Sequence, residues 1–166
     1  MYEAGELVVY SNSGVCKIEE ITHQKVPGTG EKKAYYKISP LYSTETIFTP
    51  VDSGVFMRPV ISKQEATRLI AQMPAIQENA CEERNNNLLS EQYQSLIKSH
   101  SCTDLVHLIK SIYSKSQLVL KQGKKMGQID QRFMKRAEEL LYGELAVALE
   151  IPRQDVLQYI NDSLSV

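Results

Sequence analysis

The sequence predicts an α+β protein: a small barrel-like β domain over residues 1–62, then a compact all-α domain of about five helices over residues 63–166. Three observations carry that expectation. Up to Pro59 the apolar residues come in short β-branched and aromatic runs cut by Gly, Pro, Asn and Ser. After Ser62 they recur every three or four residues. These are the periods of a pleated strand and of an α-helix. A chain of 166 residues is also long enough for two small domains.

Residues 5–21, GELVVYSNSGVCKIEEI, read as two strands and a tight turn. Leu7, Val8, Val9 and Tyr10 make the first strand. Ser11, Asn12, Ser13 and Gly14 are turn residues, and Gly14 can take the positive φ that such a turn needs. Val15, Cys16, Ile18 and Ile21 resume the apolar pattern. A hairpin alone is marginal in water, so this pair begins a larger sheet. Residues 25–33 form a polar turn with Pro27, Gly28 and Gly30. The strand at 34–39 carries Tyr35, Tyr36 and Ile38 and is ended by Pro40, which cannot donate to a ladder. Residues 45–49 make the next strand, with Ile47 and Phe48 on opposite faces and Pro50 closing it. A turn at Asp52, Ser53 and Gly54 leads to a last short strand at 55–57. Short strands punctuated at this rate are the signature of a small barrel.

Ser62 and Glu65 have the spacing of a capping box, so a helix starts there. Ala66, Leu69, Ile70 and Met73 are its apolar stripe, and Pro74 stops it. A polar helix is expected over residues 82–99, with Leu88, Leu89, Tyr93, Leu96 and Ile97. Ser101 or Thr103 caps the next helix, whose face is Leu105, Leu108, Ile109 and Ile112 and whose pattern continues to about Leu120. Gly123 and Gly127 bracket a basic loop. The helix after it has the clearest stripe in the chain: Ile129, Phe133, Ala137, Leu140, Leu141, Leu145 and Ala148. Pro152 suits the first turn of a final helix, with Val156, Leu157 and Ile160 on its buried side.

Composition narrows the function. Hydrophobic residues make up 42% and charged residues 23%, as in ordinary globular chains, and no apolar run reaches the roughly 20 residues of a membrane span. The first ten residues lack the basic and apolar regions of a secretory signal, so the expected location is cytoplasmic. Cys16, Cys81 and Cys102 are widely spaced and odd in number, which argues against a disulfide framework or a zinc site. His23, His100 and His107 show no ligand spacing, so no metal and no cofactor are expected. No nucleophile stands beside a base and no glycine array cradles phosphate, so the chain reads as a binding module and not an enzyme. Net charge is −1, with residues 1–62 carrying six Lys/Arg against seven Asp/Glu and residues 63–166 thirteen of each. Affinity for phosphate must then come from a local patch. One exists: Lys121, Lys124, Lys125, Arg132, Lys135 and Arg136 face only Asp130 between 121 and 136, a local charge of +5. Arg132, Lys135 and Arg136 share a helix face, which suits contact with a DNA backbone, although solvated faces also look like this.

The run Gly5-Glu6-Leu7-Val8-Val9-Tyr10, with Gly14, Val15 and Ile18, resembles the opening signature of the CarD/CdnL family of bacterial transcription regulators. Pro50, Gly54-Val55 and Arg58 match further points of that pattern. Ala137, Leu141, Glu144, Leu145 and Ala146 resemble a helix of the family's helical half. The resemblance implies a Tudor- or SH3-like β domain that binds the RNA polymerase β subunit. It also implies a helical domain that contacts promoter DNA at the upstream edge of the melted region and stabilises the open complex. The β domain is similar, too, to the polymerase-interacting module of transcription-repair coupling factors.

On this resemblance the polymerase contact falls on the strand with Thr46, Ile47, Phe48 and Thr49, an edge strand able to extend a partner's sheet. Gln24 and Lys25 belong to the segment expected to lie across from it. The DNA contacts fall on the basic run and on Arg84, Asn85 and Asn86. Relatives carry a tryptophan wedge near that position, and this chain has no tryptophan. Asn85 could bond a base edge or phosphate there instead, or simply belong to a polar first turn. The alternative to the DNA-contacting regulator is therefore a polymerase-binding or other protein-interaction module without productive DNA contact. No membrane and no small-molecule substrate are implied.

Overall fold

The computed structural model describes residues 2–28, 30–78 and 84–164. Cys81 and the expected first positions of the second helix, Glu82 and Glu83, lie outside the described residues. The chain divides into two compact units, Met1–Val60 and Ile61–Val166.

The first unit is a five-stranded antiparallel sheet. Its strands are β1 (Leu7–Tyr10), β2 (Gly14–Lys25), β3 (Lys32–Pro40), β4 (Ile47–Pro50) and β5 (Met57–Pro59), in the order β4-β3-β2-β1-β5. β1 and β2 are joined by a single 3-10 turn, Ser11–Ser13, and Gly14 follows it at φ 76°. Left-handed φ of this kind costs an L side chain about 1 kcal/mol or more, and glycine nothing. The core is Val8, Cys16, Ile18, Tyr36 and Ile38.

The spacing of Cys16, Ile18 and Ile21 breaks the two-residue period of a strand, and a β-bulge explains it. Ile18 faces Ile38, but Glu20 faces Lys37 and Ile21 faces Tyr36, so Glu19 is the extra residue. The insertion returns Ile21 to the core face, where it packs on the buried cluster. The last strand forms two residues later than its sequence suggests. Met57, Arg58 and Pro59 pair with Tyr10, Val9 and Val8, while Val55 and Phe56 precede the strand and are exposed.

The second unit is built of α1 (Lys63–Gln72), α2 (Asn86–Lys98), α3 (Cys102–Lys121), α4 (Gln128–Leu149) and α5 (Val156–Leu164). Ser62 Oγ accepts the Glu65 N–H at 3.0 Å, the cap expected of Ser62-x-x-Glu65. Of the two candidate caps for α3, Ser101 is the one used. Ala66, Leu69 and Ile70 from α1, Leu89, Tyr93 and Ile97 from α2, and Leu105, Leu108 and Ile112 from α3 close on the α4 stripe.

Four expectations need correction here. α2 begins at Asn86, and Arg84 and Asn85, expected within the helix, precede it. Leu88 is exposed, because only Leu89, Tyr93 and Ile97 fall on the inward side. The α3 stripe is buried only as far as Ile112, with Leu118 and Leu120 in solvent. Pro152 precedes a 3-10 turn, Arg153–Asp155, ahead of α5, and Leu157 points outward.

Candidate interaction surfaces

β4 lies at one end of the strand order, and its single neighbour is β3, with Ile47, Phe48, Thr49 and Pro50 facing Ile38, Lys37, Tyr36 and Tyr35. The expectation that residues 23–26 pair with β4 is wrong. His23, Gln24 and Lys25 pair with Ala34, Lys33 and Lys32, so β3 separates Gln24 and Lys25 from β4. The long β2–β3 hairpin takes up that segment because its two arms are adjacent in sequence and close through a short turn.

The two faces of β4 are distinct. Ile47 packs on the core and Thr49 is buried, while Phe48 is 49% exposed. The edge has its own alternation. Val51 N–H donates to the Ala34 carbonyl at 3.0 Å. In an antiparallel ladder successive residues turn their main-chain groups to opposite sides, so Ile47 and Thr49 turn theirs toward β3. Phe48 turns its N–H and C=O to the outer edge. Pro50 brings no donor to that edge, which keeps the open stretch short. Phe48 thus offers a main-chain donor, an acceptor and an aromatic anchor at one position.

In the helical unit, α3 and α4 form an antiparallel hairpin stitched at two levels by side chains that sequence reading did not single out as partners. Near one end, Cys102 Sγ–H donates to Glu144 Oε1 at 3.2 Å, and Ile61 N–H donates to Glu144 Oε2 at 3.0 Å. Toward the other end, Lys115 Nζ lies 3.0 Å from Asp130 Oδ2, and Tyr93 O–H donates to Asp130 Oδ1 at 2.6 Å. Both carboxylates are buried, and buried charge persists only when it is partnered. A lone carboxylate within an apolar stripe was the available signal for Glu144. Lys115 carried none.

This pairing changes the charge of the 121–136 run. Asp130 is its single acid, and Asp130 is directed inward onto Lys115. The cations therefore face solvent without an acid of their own run beside them. Lys121, Lys124, Lys125, Arg132 and Lys135 are exposed. The Arg132 guanidinium lies 5.1 Å from the centre of the Phe133 ring, which holds its stem against α4, and Arg136 is 3.7 Å from Glu139. Arg84, Asn85 and Asn86 stand at the start of a different element, α2. Asn85 Oδ1 accepts the N–H groups of Asn87 and Leu88, at 2.9 and 3.2 Å. That oxygen caps α2, so the capping role accounts for Asn85 where a base contact was considered.

Burial pushes the Cys16 thiol up to about 11. Burial, with the Glu138 carboxylate adding to it, pushes the Tyr142 hydroxyl up to about 12. Both shifts favour the protonated form, the opposite of what a nucleophile requires. Among the described residues no group of three or more His, Cys, Asp and Glu side chains could hold a metal ion. Among them, too, no helix is long and apolar enough to cross a membrane.

An exposed antiparallel edge with an outward aromatic side chain is a place where a partner's strand can add to the sheet. Residues 2–61 match the family model of the CarD-like/TRCF RID domain, and the β unit is a domain of that family. The match supports a transcription-related role in which this domain interacts with the RNA polymerase β subunit. No curated protein matches the chain.

Proposed function

We propose that the protein is a bacterial, cytoplasmic transcription regulator that docks on the RNA polymerase β subunit by strand addition along β4, with Phe48 as the anchor. In this reading Thr46 and Phe48 supply the main-chain hydrogen bonds, and Ile47 and Thr49 hold the strand on its own core. Lys121, Lys124, Lys125, Arg132, Lys135 and Arg136 then bind the promoter backbone at the upstream edge of the melted region and stabilise the open complex. The observation that carries the reading is the outward turn of both the main chain and the side chain of Phe48 at an open sheet edge.

The test is capture of purified polymerase β fragments by the full chain and by Phe48→Ala. Removing a central aromatic anchor costs about 2 kcal/mol or more, so the variant should bind at least about tenfold more weakly while its melting is little changed. Unaltered capture would remove β4 from the interface.

One observation favours a second reading, in which the protein binds polymerase without holding DNA. The side-chain oxygen of Asn85, itself one of the expected DNA contacts, is committed to the α2 cap. Salt dependence separates the two. If the basic run binds phosphate, Lys124→Gln with Lys125→Gln lowers the slope of log affinity for the polymerase–promoter complex against log salt by roughly 2. An unchanged slope selects the second reading.

A further inference from the structure

The helical unit carries an open apolar groove whose long walls are one face of α3 and one face of α5. Ile109 and Tyr113 stand one turn apart on α3, and Leu157, Ile160 and Leu164 stand at i, i+3 and i+7 on α5. Leu141 of α4 is the buried floor between them. The groove holds about 440 Å³. Small-molecule sites run from roughly 300 to 1,000 Å³ and are apolar with a few placed polar groups. Its rim keeps large apolar groups in water, with Tyr113 57% exposed and Leu157 51% exposed.

Among the described residues one charged side chain lines this groove, Lys110. Its Nζ donates to the Met73 carbonyl at 3.0 Å and to the Ile76 carbonyl at 2.5 Å. An ammonium has three N–H donors, so two bonds leave one over. Carbonyls are dipoles and leave the unit charge in place, and among the described residues no carboxylate forms an ion pair with Lys110. Apolar walls lower the local dielectric, so such a cation draws an anion more strongly than it would in water. Tyr142 adds a hydroxyl to the lining, and burial with the Glu138 carboxylate keeps it protonated up to about 12. Glu138 repels an anion from that side, which leaves Lys110 as the place for an anionic head.

We infer that this groove is a binding site for an amphiphilic monocarboxylate, with its carboxylate on Lys110 and its apolar body between α3 and α5 over Leu141. The inference goes beyond the polymerase and DNA readings and depends on neither. A partner's helix could also lie between two apolar stripes. The small acid is favoured on two counts. One lysine with one remaining donor matches one carboxylate. A helix with its side chains is about 10–12 Å across, and 440 Å³ spread along the two turns from Val106 to Tyr113 is too narrow for it.

The experiment titrates dodecanoate, below its micelle concentration, into the full chain by calorimetry. Dodecanoate should bind, and dodecanol, the same body without the charge, should bind at least about tenfold more weakly. From octanoate to dodecanoate the affinity should rise by roughly fourfold per added methylene until the groove is full. Lys110→Met keeps the stem and removes the charge. It should weaken dodecanoate about tenfold or more and leave dodecanol unchanged. Leu157→Asp, at an exposed wall position, should weaken both ligands while its helical circular dichroism matches the wild type. Lys110 also holds the chain after α1, so if Lys110→Met unfolds, the wild-type contrast and Leu157→Asp still decide. Equal binding of dodecanol and dodecanoate to the wild type would overturn the proposal. So would no binding of either, or dodecanoate binding that Leu157→Asp leaves untouched. If dodecanoate fails to bind and Leu157→Asp instead weakens attachment to the polymerase–promoter complex, the groove belongs to a macromolecular partner and the proposal falls.

Discussion

The core of the β unit is Val8, Cys16, Ile18, Tyr36 and Ile38, with no ionised side chain in it, whereas the helical unit buries Asp130 and Glu144 among its leucines. The difference follows from how each kind of element satisfies its main chain. Strands must pair to be satisfied, so the ladder itself sets which residues meet, and the interior needs only volume and apolarity. What the ladder leaves over is its edge, and there Phe48 stands outward. Helices satisfy their main chains internally and can slide or rotate against one another. Two carboxylates, each bonded across to α3, pin the α3–α4 register at levels 102–144 and 115–130. The outward surface of the helical unit is then free to be basic, because its one acid between 121 and 136 has been drawn inward. In the proposed reading, one unit would recognise with its main chain and the other with its side chains.

The comparison can be broken most easily at the small core. Ile18→Ala should cost about 2–5 kcal/mol, a large part of what a sixty-residue unit has to lose. Polymerase capture should disappear while the helical circular dichroism persists, since Ile18 belongs to the β cluster alone. Simultaneous loss of both signals would show that the two cores do not act separately.

The stitches come next. Lys115→Met leaves Asp130 buried beside Tyr93 without its cation, and should lower stability by about 2–3 kcal/mol, discounted for the partial exposure of Lys115. Asp130→Asn in the same chain should recover part of that loss, a coupling read by urea unfolding of the four variants of the cycle. Strict additivity would mean that the pair contributes nothing to the register.

Alkaline titration should report on both units, through Cys16 in the β unit and Tyr142 in the helical unit, and Cys16 is the group that begins to contribute at the lower pH. Cys16 keeps its proton to about 11 when folded, against an ordinary 9.0. Between those values the unfolded chain loses the proton and the folded chain holds it. Stability is therefore full below pH 9, falls as pH rises to about 11, and changes no further through this group above that. The total is about 2–3 kcal/mol. Cys16→Ala should remove this part of the slope in a pH series of unfolding curves, and an unchanged slope would assign it to another group.

The smallest expected effect sits at the end of α4. Glu150 takes φ 58°, with Ile151 N–H bonded to the Ala146 carbonyl at 3.0 Å. Glu150→Gly should raise the stability of the helical unit by up to about 1 kcal/mol, seen as a higher melting temperature, because glycine occupies this cap position without strain.

Residue periodicity and punctuation by themselves determined most of the fold. The β-branched runs, the Gly14 turn, the Ser62 cap and the α4 stripe are local signals, each acting within a few residues. The candidate basic run was visible for the same reason, as a sum of charges along one stretch. Edge position and partnership were not. Whether Ile47 or Phe48 faced inward, and whether β4 lay beside β3 or beside residues 23–26, depended on which strands met. The register break at Glu19 became a bulge only once β3 lay opposite. Asp130 counted against the basic patch until Lys115, fifteen residues away, was brought to it. Leu118 and Leu120 continued an apolar pattern whose burial the tertiary structure withheld, since both side chains stay exposed past the last stitch of α3. Local sequence chooses the elements through steric and hydrogen-bonding preferences of neighbouring residues, while exposure, pairing and net patch charge are properties of residues distant in sequence and near in space.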